Sequence, residues 1–233
     1  MAERSLVLID VDKTAYRGNL IFSIIQQEAT DGLIEQSDAD KIFQIYETYK
    51  KGDSSYEEMV HQVVTKWAEV LKDKFVTDFL NHAIDFLNAN RDKFYPYVSE
   101  VIQMVADTHS VYFVTAEPQF VARPIAETFG AIGAICSEME VKDGKFTGKA
   151  ELILSDRKHK LEAINHLFET HIITRSIAFG DSEGDIEMLK TVENPICINP
   201  NDGLKKVAEE KNWQVSDGSQ ETIDLVKNIL NNL

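Results

Sequence analysis

Cysteine is scarce in this sequence: only Cys136 and Cys197 occur among 233 residues, and both lie in short apolar runs. Two cysteines in such surroundings are typical of reduced, buried thiols rather than of a disulfide or a metal site. Long apolar runs are also missing, and the apolar segment after Ser5 is far too short for a signal-peptide core or a membrane span. These absences predict a cytoplasmic protein that has no contact with a membrane.

Basic residues are few as well. The sequence has 24 Lys+Arg against 39 Asp+Glu, which gives a formal net charge of -15. No stretch is basic enough to form a positively charged binding surface for nucleic acid, so we do not expect nucleic acid as a partner. The same negative field repels anionic ligands, and any phosphate site therefore has to supply its own positive charge from a metal or a placed lysine.

One apolar run stops at a distinctive acidic pair. Residues 6–9 are continuously apolar and are followed by Asp10, Asp12 and Thr14. Such a run predicts a buried strand in a parallel sheet that is covered on both faces. Ligands of open α/β sheets bind at the carboxyl ends of the strands, which places the two acids at the functional edge. Taken alone, this stretch is explained equally well by acids that cap a turn or a helix.

A long helical segment interrupts the strand pattern after Thr14. Residues 16–94 predict helices and no strand, and Ser37 with Asp40 forms a capping-box pattern that predicts the start of the second helix. Trp67 and the tyrosines of this segment either line a pocket or pack in a core. Aromatic residues at helical spacing favour the core.

From Pro96 onward strands and helices alternate, and Asp143-Gly144 between alternating residues predicts a β-hairpin. This order predicts an α/β fold: a Rossmann-like parallel sheet with right-handed crossovers, an inserted all-helical cap domain and a β-hairpin. We assign residues 1–15 and 95–233 to the core domain and residues 16–94 to the cap. The predicted strands after the cap are 111–114, 132–136, 177–179 and 196–198.

Polar residues follow strand ends or open helices at four points of this pattern. Together, at one edge of the predicted sheet, they supply the groups that phosphoryl transfer through an aspartyl-phosphate requires. For the lysine, Lys160 fits a helix-opening position better than Lys158 because it immediately precedes the apolar face that begins at Leu161. The four groups are Asp10 with Asp12, Thr115, Lys158 or Lys160, and Asp181 with Asp185.

Each of these residue types suits one part of that chemistry. Asp10 would act as nucleophile, and Mg²⁺ suits an all-oxygen site made by Asp10, Asp181 and water. Lys160 and the hydroxyl of Thr115 would hold the phosphoryl oxygens in the transition state. Asp12 would give a proton to the leaving oxygen and then take one from water.

At this point the pattern resembles the haloacid dehalogenase superfamily of hydrolases. The first motif, D-x-D-x-T, stands at 10–14, and the second, a strand that ends in threonine, at 111–115. A lysine that opens a helix corresponds to Lys160, and G-D-S-x-x-D stands at 180–185. All four motifs occur in order and span nearly the whole predicted core.

The resemblance implies a role for each matched residue. Asp10 is the implied nucleophile and Asp12 the implied general acid and base. The implied Mg²⁺ ligands are Asp10, the backbone carbonyl of Asp12, and Asp181, with Asp185 supporting the metal through water or through Lys160. Since the dehalogenases lack the second acid, Asp12 implies a phosphatase or a phosphotransferase.

The helical insertion and the hairpin are similar to those of the phosphoserine-phosphatase-like branch, but three residues depart from its pattern. Asn19 stands where phosphoserine phosphatases have a glutamate that holds the substrate ammonium. Lys13 replaces the more common Gly or Ser, and Glu117 replaces a small residue. Arg17 and Asn19 either contact substrate from the cap hinge or form a surface hinge, so we treat Arg17, Asn19 and Glu117 as candidate specificity residues.

The main hypothesis is therefore a Mg²⁺-dependent phosphatase that acts on a small phosphorylated metabolite. One alternative is a phosphotransferase or mutase, in which the aspartyl-phosphate passes to an acceptor other than water. Another is a phospho-accepting signalling module that resembles receiver domains. The long cap and the second acid, Asp12, argue against this alternative. Neither the substrate nor the oligomeric state can be predicted from this sequence.

Overall fold

The computed structural model of the protein describes residues 4–231. Within them lies a seven-stranded sheet of order β4-β3-β2-β1-β5-β6-β7, in which β4 is antiparallel to β3 and the other neighbours are parallel. This arrangement confirms the predicted α/β class and the hairpin. The strands are β1 Ser5–Ile9, β2 His109–Pro118, β3 Gly133–Lys142, β4 Lys145–Leu152, β5 Ile172–Gly180, β6 Asn194–Ile198 and β7 Gln214–Ser216.

Five helices lie between β1 and β2, the first four of them within the predicted cap, and five more follow β2. The first four are α1 Leu20–Thr30, α2 Gln36–Lys50, α3 Tyr56–Val70 and α4 Val76–Ala89. The others are α5 Pro96–Val105, α6 Gln119–Phe129, α7 Arg157–Ile164, α8 Ile186–Lys190, α9 Asp202–Lys211 and α10 Gln220–Asn231. None of these helices, in the described part of the chain, is both long enough and apolar enough to cross a membrane.

Strand β1 is central, and its position determines where the acidic motif lies. All five of its residues are buried, as expected for a strand covered on both faces. Ile9 is in register with Phe113 of β2 and with Phe179 of β5. Asp10, Thr115 and the residues after Gly180 therefore meet at the same edge of the sheet.

Several local predictions differ from the structure. The capping box at Ser37 is wrong: α2 begins at Gln36, and its N-cap residue, Glu35, makes no side-chain cap. The turn that precedes α2 is held instead by the carbonyl of Glu28, which accepts hydrogen bonds from the N–H groups of Leu33 and Ile34. The helix therefore begins before Ser37 and without a side-chain cap.

Strand lengths also differ from the sequence pattern. β2 extends from His109 to Pro118 rather than stopping at Thr115, although its pairing with β3 is irregular between Val114 and Pro118. β7 was missed because three residues are too few to show an alternation.

The hairpin of β3 and β4 connects the helical insertion to the sheet. The N–H of Asp73 donates to the carbonyl of Phe146 (2.8 Å), and the N–H of Phe146 donates to the carbonyl of Lys74 (3.0 Å). The ring of Phe146 packs at 5.9 Å from Phe79 of α4 and at 5.3 Å from Phe120 of α6. The division into a core of 1–15 and 95–233 and a cap of 16–94 stays a prediction, and its residues 1–3 and 232–233 lie outside the described chain.

The interior of the helical segment contains a buried carboxyl group. Glu28 and Trp67 are completely buried, and the Nε1–H of Trp67 donates to Oε2 of Glu28 at 2.9 Å. The burial of Trp67 confirms the core interpretation for this residue. Burial raises the pKa of Glu28 from 4.5 to about 8, although the Trp67 hydrogen bond and the charge of Lys74 act in the opposite direction.

This shift predicts a pH-dependent gain in stability for Glu28→Gln. Between pH 4.5 and 8 the folded protein keeps a proton on Glu28 that the unfolded chain has lost, so this group destabilises the fold increasingly as pH rises. Glutamine retains the acceptor for Trp67 and removes the titration. In urea unfolding, the advantage of the variant should grow by about 1 kcal/mol per pH unit from pH 5 to 8.

The matched control is Glu127→Gln, which removes an exposed glutamate on α6. Its stability difference from the wild type should stay flat over the same pH range. Equal pH profiles for the two variants would show that Glu28 titrates normally in the folded protein.

Candidate active site

Asp10 lies immediately beyond the end of β1 and is 6% exposed. Its N–H donates to the carbonyl of Phe179 at 3.1 Å, which continues the sheet hydrogen bonding by one residue and fixes its backbone. Its side chain accepts a hydrogen bond from Nζ of Lys160, at 2.7 Å from Oδ1. The first acid of the predicted motif is therefore held by the sheet and paired with the predicted lysine.

Lys160 bridges two carboxylates. Its Nζ lies 2.7 Å from Oδ1 of Asp10 and 2.7 Å from Oδ1 of Asp185. It occupies the first turn of α7, whose N-cap, Asp156, accepts from the N–H of His159 at 2.8 Å. The choice of Lys160 over Lys158 agrees with this position, because the side chain of Lys158 is 80% exposed and lies 3.7 Å from Glu162.

Asp185 is completely buried and uses both of its oxygens. Oδ1 binds Lys160, while Oδ2 accepts from the N–H of Asp181, the N–H of Ser182 and the hydroxyl of Ser182 at 3.2–3.3 Å. Gly180 makes this packing possible, because a Cβ at that position would lie 2.5 Å from Cβ of Asp185. Asp185 thus organises the turn that presents Asp181.

Three buried carboxylates converge at this edge. One oxygen from each of Asp10, Asp181 and Asp185 lies within 4.8 Å of the others. Burial raises the pKa of Asp10 to about 7, with the charge of Asp185 adding to the shift and that of Lys160 opposing it. Burial also raises the pKa of Asp181 well above its usual range, as do the charges of Asp185 and Asp10. The site carries more negative charge than Lys160 balances.

Lys160 itself stays protonated. Burial by itself would lower its pKa, but the carboxylates of Asp10 and Asp185 raise that pKa well above the ordinary value. The site therefore contains one permanent, buried positive charge beside Asp10.

Asp12 is half-buried and faces the start of α1. Its Oδ1 accepts a hydrogen bond from the N–H of Leu20 at 2.6 Å. Burial raises the pKa of Asp12 to about 6, and the Leu20 hydrogen bond and the charges of Lys13 and Lys160 limit the shift. Lys13, between the two acids, has a φ of +56°, a backbone conformation that glycine adopts at lower cost. A carboxyl with a pKa near 6 can both give and take a proton close to neutral pH.

Thr115 and Glu117 extend the site along β2. Thr115 is buried, and its hydroxyl accepts from the N–H of Glu117 at 3.2 Å. Glu117 is 1% exposed and lines the same cavity as Asp10. Within residues 4–231, neither of its carboxylate oxygens has a hydrogen-bond partner.

A cavity of about 70 Å³ that opens to solvent lies between the sheet edge and the helical segment. Its floor contains Asp10, Asp12, Thr115, Glu117 and Lys160. Its helical wall is aromatic, with Phe22 from α1, Tyr46 and Tyr49 from α2, and Tyr56 from α3.

The aromatic wall was missed by the sequence analysis, which favoured the core for this segment's aromatic residues. The signal that could have found it is the pairing of Tyr46 with Tyr49 on the weakly apolar helix α2. A polar end on an aromatic ring suits a surface that borders water.

The two hinge candidates differ in their placement. Asn19 lines the cavity, and its Nδ2 lies 3.4 Å from the hydroxyl of Tyr46. Arg17 is exposed, packs at 4.7 Å from the Tyr95 ring and donates to the carbonyl of Asp92 at 2.9 Å. The structure therefore brings Asn19 and Glu117 to the predicted site and places Arg17 at the surface hinge.

Comparison with known proteins gives a family match. Residues 7–190 match the model of the haloacid dehalogenase-like hydrolases. A phosphoserine phosphatase from Mycobacterium tuberculosis is 33% identical over 129 residues, which are 54% of this chain and 42% of that protein. The chain thus spans less than half the length of this mycobacterial relative.

Two further similarities extend over nearly the whole chain. A histidinol-phosphatase from Neisseria meningitidis is 20% identical over 224 residues, 91% of this chain and 98% of that protein. A crystal structure of a Bordetella pertussis protein of unknown function superimposes with a TM-score of 0.79 and 25% identity, and covers 93% of this chain and 100% of the other.

This chain belongs to the haloacid dehalogenase-like hydrolase family, because the family model covers 184 of its 233 residues (7–190). The resemblance drawn from the four motifs is confirmed. In the structure all four motifs meet at the carboxyl edge of one sheet, although they are spread over more than 170 residues of sequence.

Proposed function

We propose that this protein is a Mg²⁺-dependent phosphatase that hydrolyses a small phosphomonoester through an aspartyl-phosphate on Asp10. The observation that carries this proposal is the arrangement around Asp10, a buried carboxylate at the end of the central strand. It is paired with Lys160 at 2.7 Å and faces a cavity between sheet and helices. The mycobacterial and neisserial relatives are both named as phosphatases, which supports the same reaction class.

The acidic cluster fits a hard divalent cation. Its donors are carboxylate oxygens, the ligands that Mg²⁺ prefers, and the raised pKa values of Asp10 and Asp181 report negative charge that a cation would neutralise. Asp10 and Asp181 would hold the ion together with the Asp12 carbonyl. Asp185 would act through its neighbours, since both of its oxygens are already engaged. When bound, the ion would polarise a phosphoryl oxygen and keep Asp10 ionised at neutral pH.

The residues of this chain then divide the reaction into two displacements. In the first, Oδ of Asp10 forms a bond to phosphorus, the bond from phosphorus to the substrate oxygen breaks, and that oxygen takes a proton from Asp12. In the second, Asp12 takes a proton from water, whose oxygen displaces Asp10 and releases phosphate. Lys160 and the hydroxyl of Thr115 would hold the non-bridging oxygens during both steps.

The substrate is expected to be small, because the helical segment covers the sheet edge and its aromatic side chains leave only a small cavity above Asp10. We also propose that residues 16–94 act as a cap domain that selects the substrate. Phosphoserine and histidinol phosphate, the compounds that the relatives' names suggest, are starting candidates.

The experiment that tests this function is phosphate release from a panel of phosphorylated metabolites, with Mg²⁺ and with EDTA. We expect release from one or a few small phosphomonoesters and its loss in EDTA. Transfer of phosphate to an added acceptor without free phosphate would identify a phosphotransferase instead. A stable phosphoprotein with no turnover would contradict the phosphatase and favour a signalling module.

A further inference from the structure

Glu117 is a buried ionisable group whose carboxylate makes no side-chain hydrogen bond within the described residues. It lies on β2 two residues beyond Thr115, is 1% exposed and lines the cavity. Neither Oε1 nor Oε2 has a well-aligned hydrogen-bond donor within residues 4–231, although the N–H of Ile21, at the start of α1, lies near the carboxyl and favours its ionised form. A buried carboxyl without partners costs the fold several kcal/mol, and such groups are retained where they have another use.

The positive groups around the cavity do not balance Glu117. Lys160 is bound to Asp10 and Asp185, and Lys13 is exposed at the mouth. Burial raises the pKa of Glu117 well above its usual range, as do the charges of Asp12 and Asp10, while the backbone of Ile21 acts in the opposite direction. A positive charge beside the carboxyl would oppose these effects and favour its ionised form.

The aromatic wall points to the same kind of ligand. The ring centroids of Phe22 and Tyr46 lie 4.5 Å apart, and those of Tyr46 and Tyr49 lie 6.2 Å apart. Aromatic faces attract cations as well as apolar carbon, and Lys50 already lies 5.1 Å from the Tyr46 ring. A cation that entered this cavity would meet Glu117 on the sheet side and the aromatic rings on the helical side.

We propose that Glu117 binds a cationic group of the substrate, so that the preferred substrate is a phosphomonoester that also carries an amine. This inference rests on the proposed function, which places the phosphoryl group at Asp10, Thr115 and Lys160. The cavity then has a phosphate end and an amine end. Partnership with an ammonium ionises Glu117 and satisfies its two free oxygens.

The test measures binding, so that it does not depend on turnover. Calorimetry in Mg²⁺ compares ω-aminoalkylphosphonates of two to six carbons with alkylphosphonates of the same length. The wild type should bind the amine better by about 30-fold or more at its best length, since a buried ion pair is made only with the amine. Glu117→Gln, which keeps the shape and removes the charge, should reduce this preference to about threefold or less.

Glu28→Gln provides the matched control. It removes another completely buried carboxyl group, which binds Trp67, does not line the cavity and acts on Glu117 through its charge alone. It should keep the full preference for the amine. Loss of the preference to the same degree in both variants would overturn the inference, because a general electrostatic effect would then explain it.

Two other results would also overturn the inference: equal binding of amine and alkyl compounds by the wild type at every length, and no binding of any compound at millimolar concentration. Failure of the proposed function has a different signature. In that case no phosphate is released from any substrate, while the amine preference and its dependence on Glu117 remain in the binding data.

Discussion

Asp10→Asn is expected to lower kcat for phosphate release by about 10⁴-fold or more and to leave the protein folded. The amide cannot form the acyl phosphate, and Asp185, the other carboxylate paired with Lys160, cannot replace Asp10 because both of its oxygens are bound. Lys160 keeps Asp185 as its partner at 2.7 Å, so its buried ammonium group is not left without a counter-charge. Because the pKa of Asp10 is raised to about 7, its carboxyl destabilises the fold as pH rises, and the variant should be at least as stable as the wild type in EDTA at neutral pH.

The covalent intermediate gives this prediction a second readout. Acid quenching of the wild type during turnover, followed by peptide mass spectrometry, should find one added phosphoryl group on the peptide that contains Asp10. The same peptide from Asp10→Asn should be unmodified. A phosphorylated peptide elsewhere in the chain, or turnover of Asp10→Asn within tenfold of the wild type, would contradict the assignment of the nucleophile.

Asp12→Asn is the matched variant that separates the two acids. With an aryl phosphate, whose leaving oxygen needs no proton, Asp12→Asn should still transfer the phosphoryl group to Asp10. It should then accumulate the phosphoprotein, because no base is left to activate water. Asp10→Asn should accumulate nothing with the same substrate. If both variants behave alike, Asp12 does not act as the acid and base.

The sheet and the site could be predicted from sequence where local pattern and chemistry coincide. Residues 6–9 are apolar without interruption, and that alone indicates a central parallel strand with Asp10 at its end. The hairpin could be predicted equally well, because Asp143 and Gly144 are residue types that favour such a turn, and both adopt the positive φ that it requires. In these cases the residues that form the structure are neighbours in sequence.

Other features depend on contacts between distant segments, and no local pattern shows them. The isolation of Glu117 is an example, since it follows from which residues of α1, α2 and α3 reach the sheet edge. The connection between the hairpin and the helical segment is another example, because it depends on backbone hydrogen bonds of Phe146 with Asp73 and Lys74. Residue identity fixes the chemistry available, whereas the packing of distant elements decides which groups are left without partners.

Lys160→Met is expected to damage both activity and stability, and the stability loss should depend on pH. Lys160 is the one cation between Asp10 and Asp185 in the described chain, and its side chain is only 10% exposed. Removal of one member of such a group leaves uncompensated buried charge, at a cost of about 3–5 kcal/mol. Loss of the positive charge that holds the phosphoryl oxygens should also lower kcat by about 10²- to 10³-fold.

The sign of the pH dependence follows from the carboxyl groups that remain. Even with Lys160 present, the pKa of Asp10 is raised to about 7, and without it that pKa rises further. At pH 5.5 Asp10 is then protonated in the folded variant and can share its proton with Asp185, so the penalty is small. Between pH 5.5 and 8 the unfolded chain carries no proton on this group, whereas the folded variant keeps one to higher pH than the folded wild type does, so the variant loses stability relative to the wild type as pH rises.

Lys158→Met is the matched control, because it removes a lysine two residues away whose side chain is 80% exposed. Its unfolding free energy in EDTA, at pH 5.5 and at pH 8, should stay within about 0.5 kcal/mol of the wild type, as for most surface substitutions. Excess Mg²⁺ should recover part of the stability of Lys160→Met, because a cation at Asp10 and Asp181 relieves the same repulsion. Equal behaviour of the two variants would show that Lys160 does not neutralise this site, and the phosphate-binding role would fall with it.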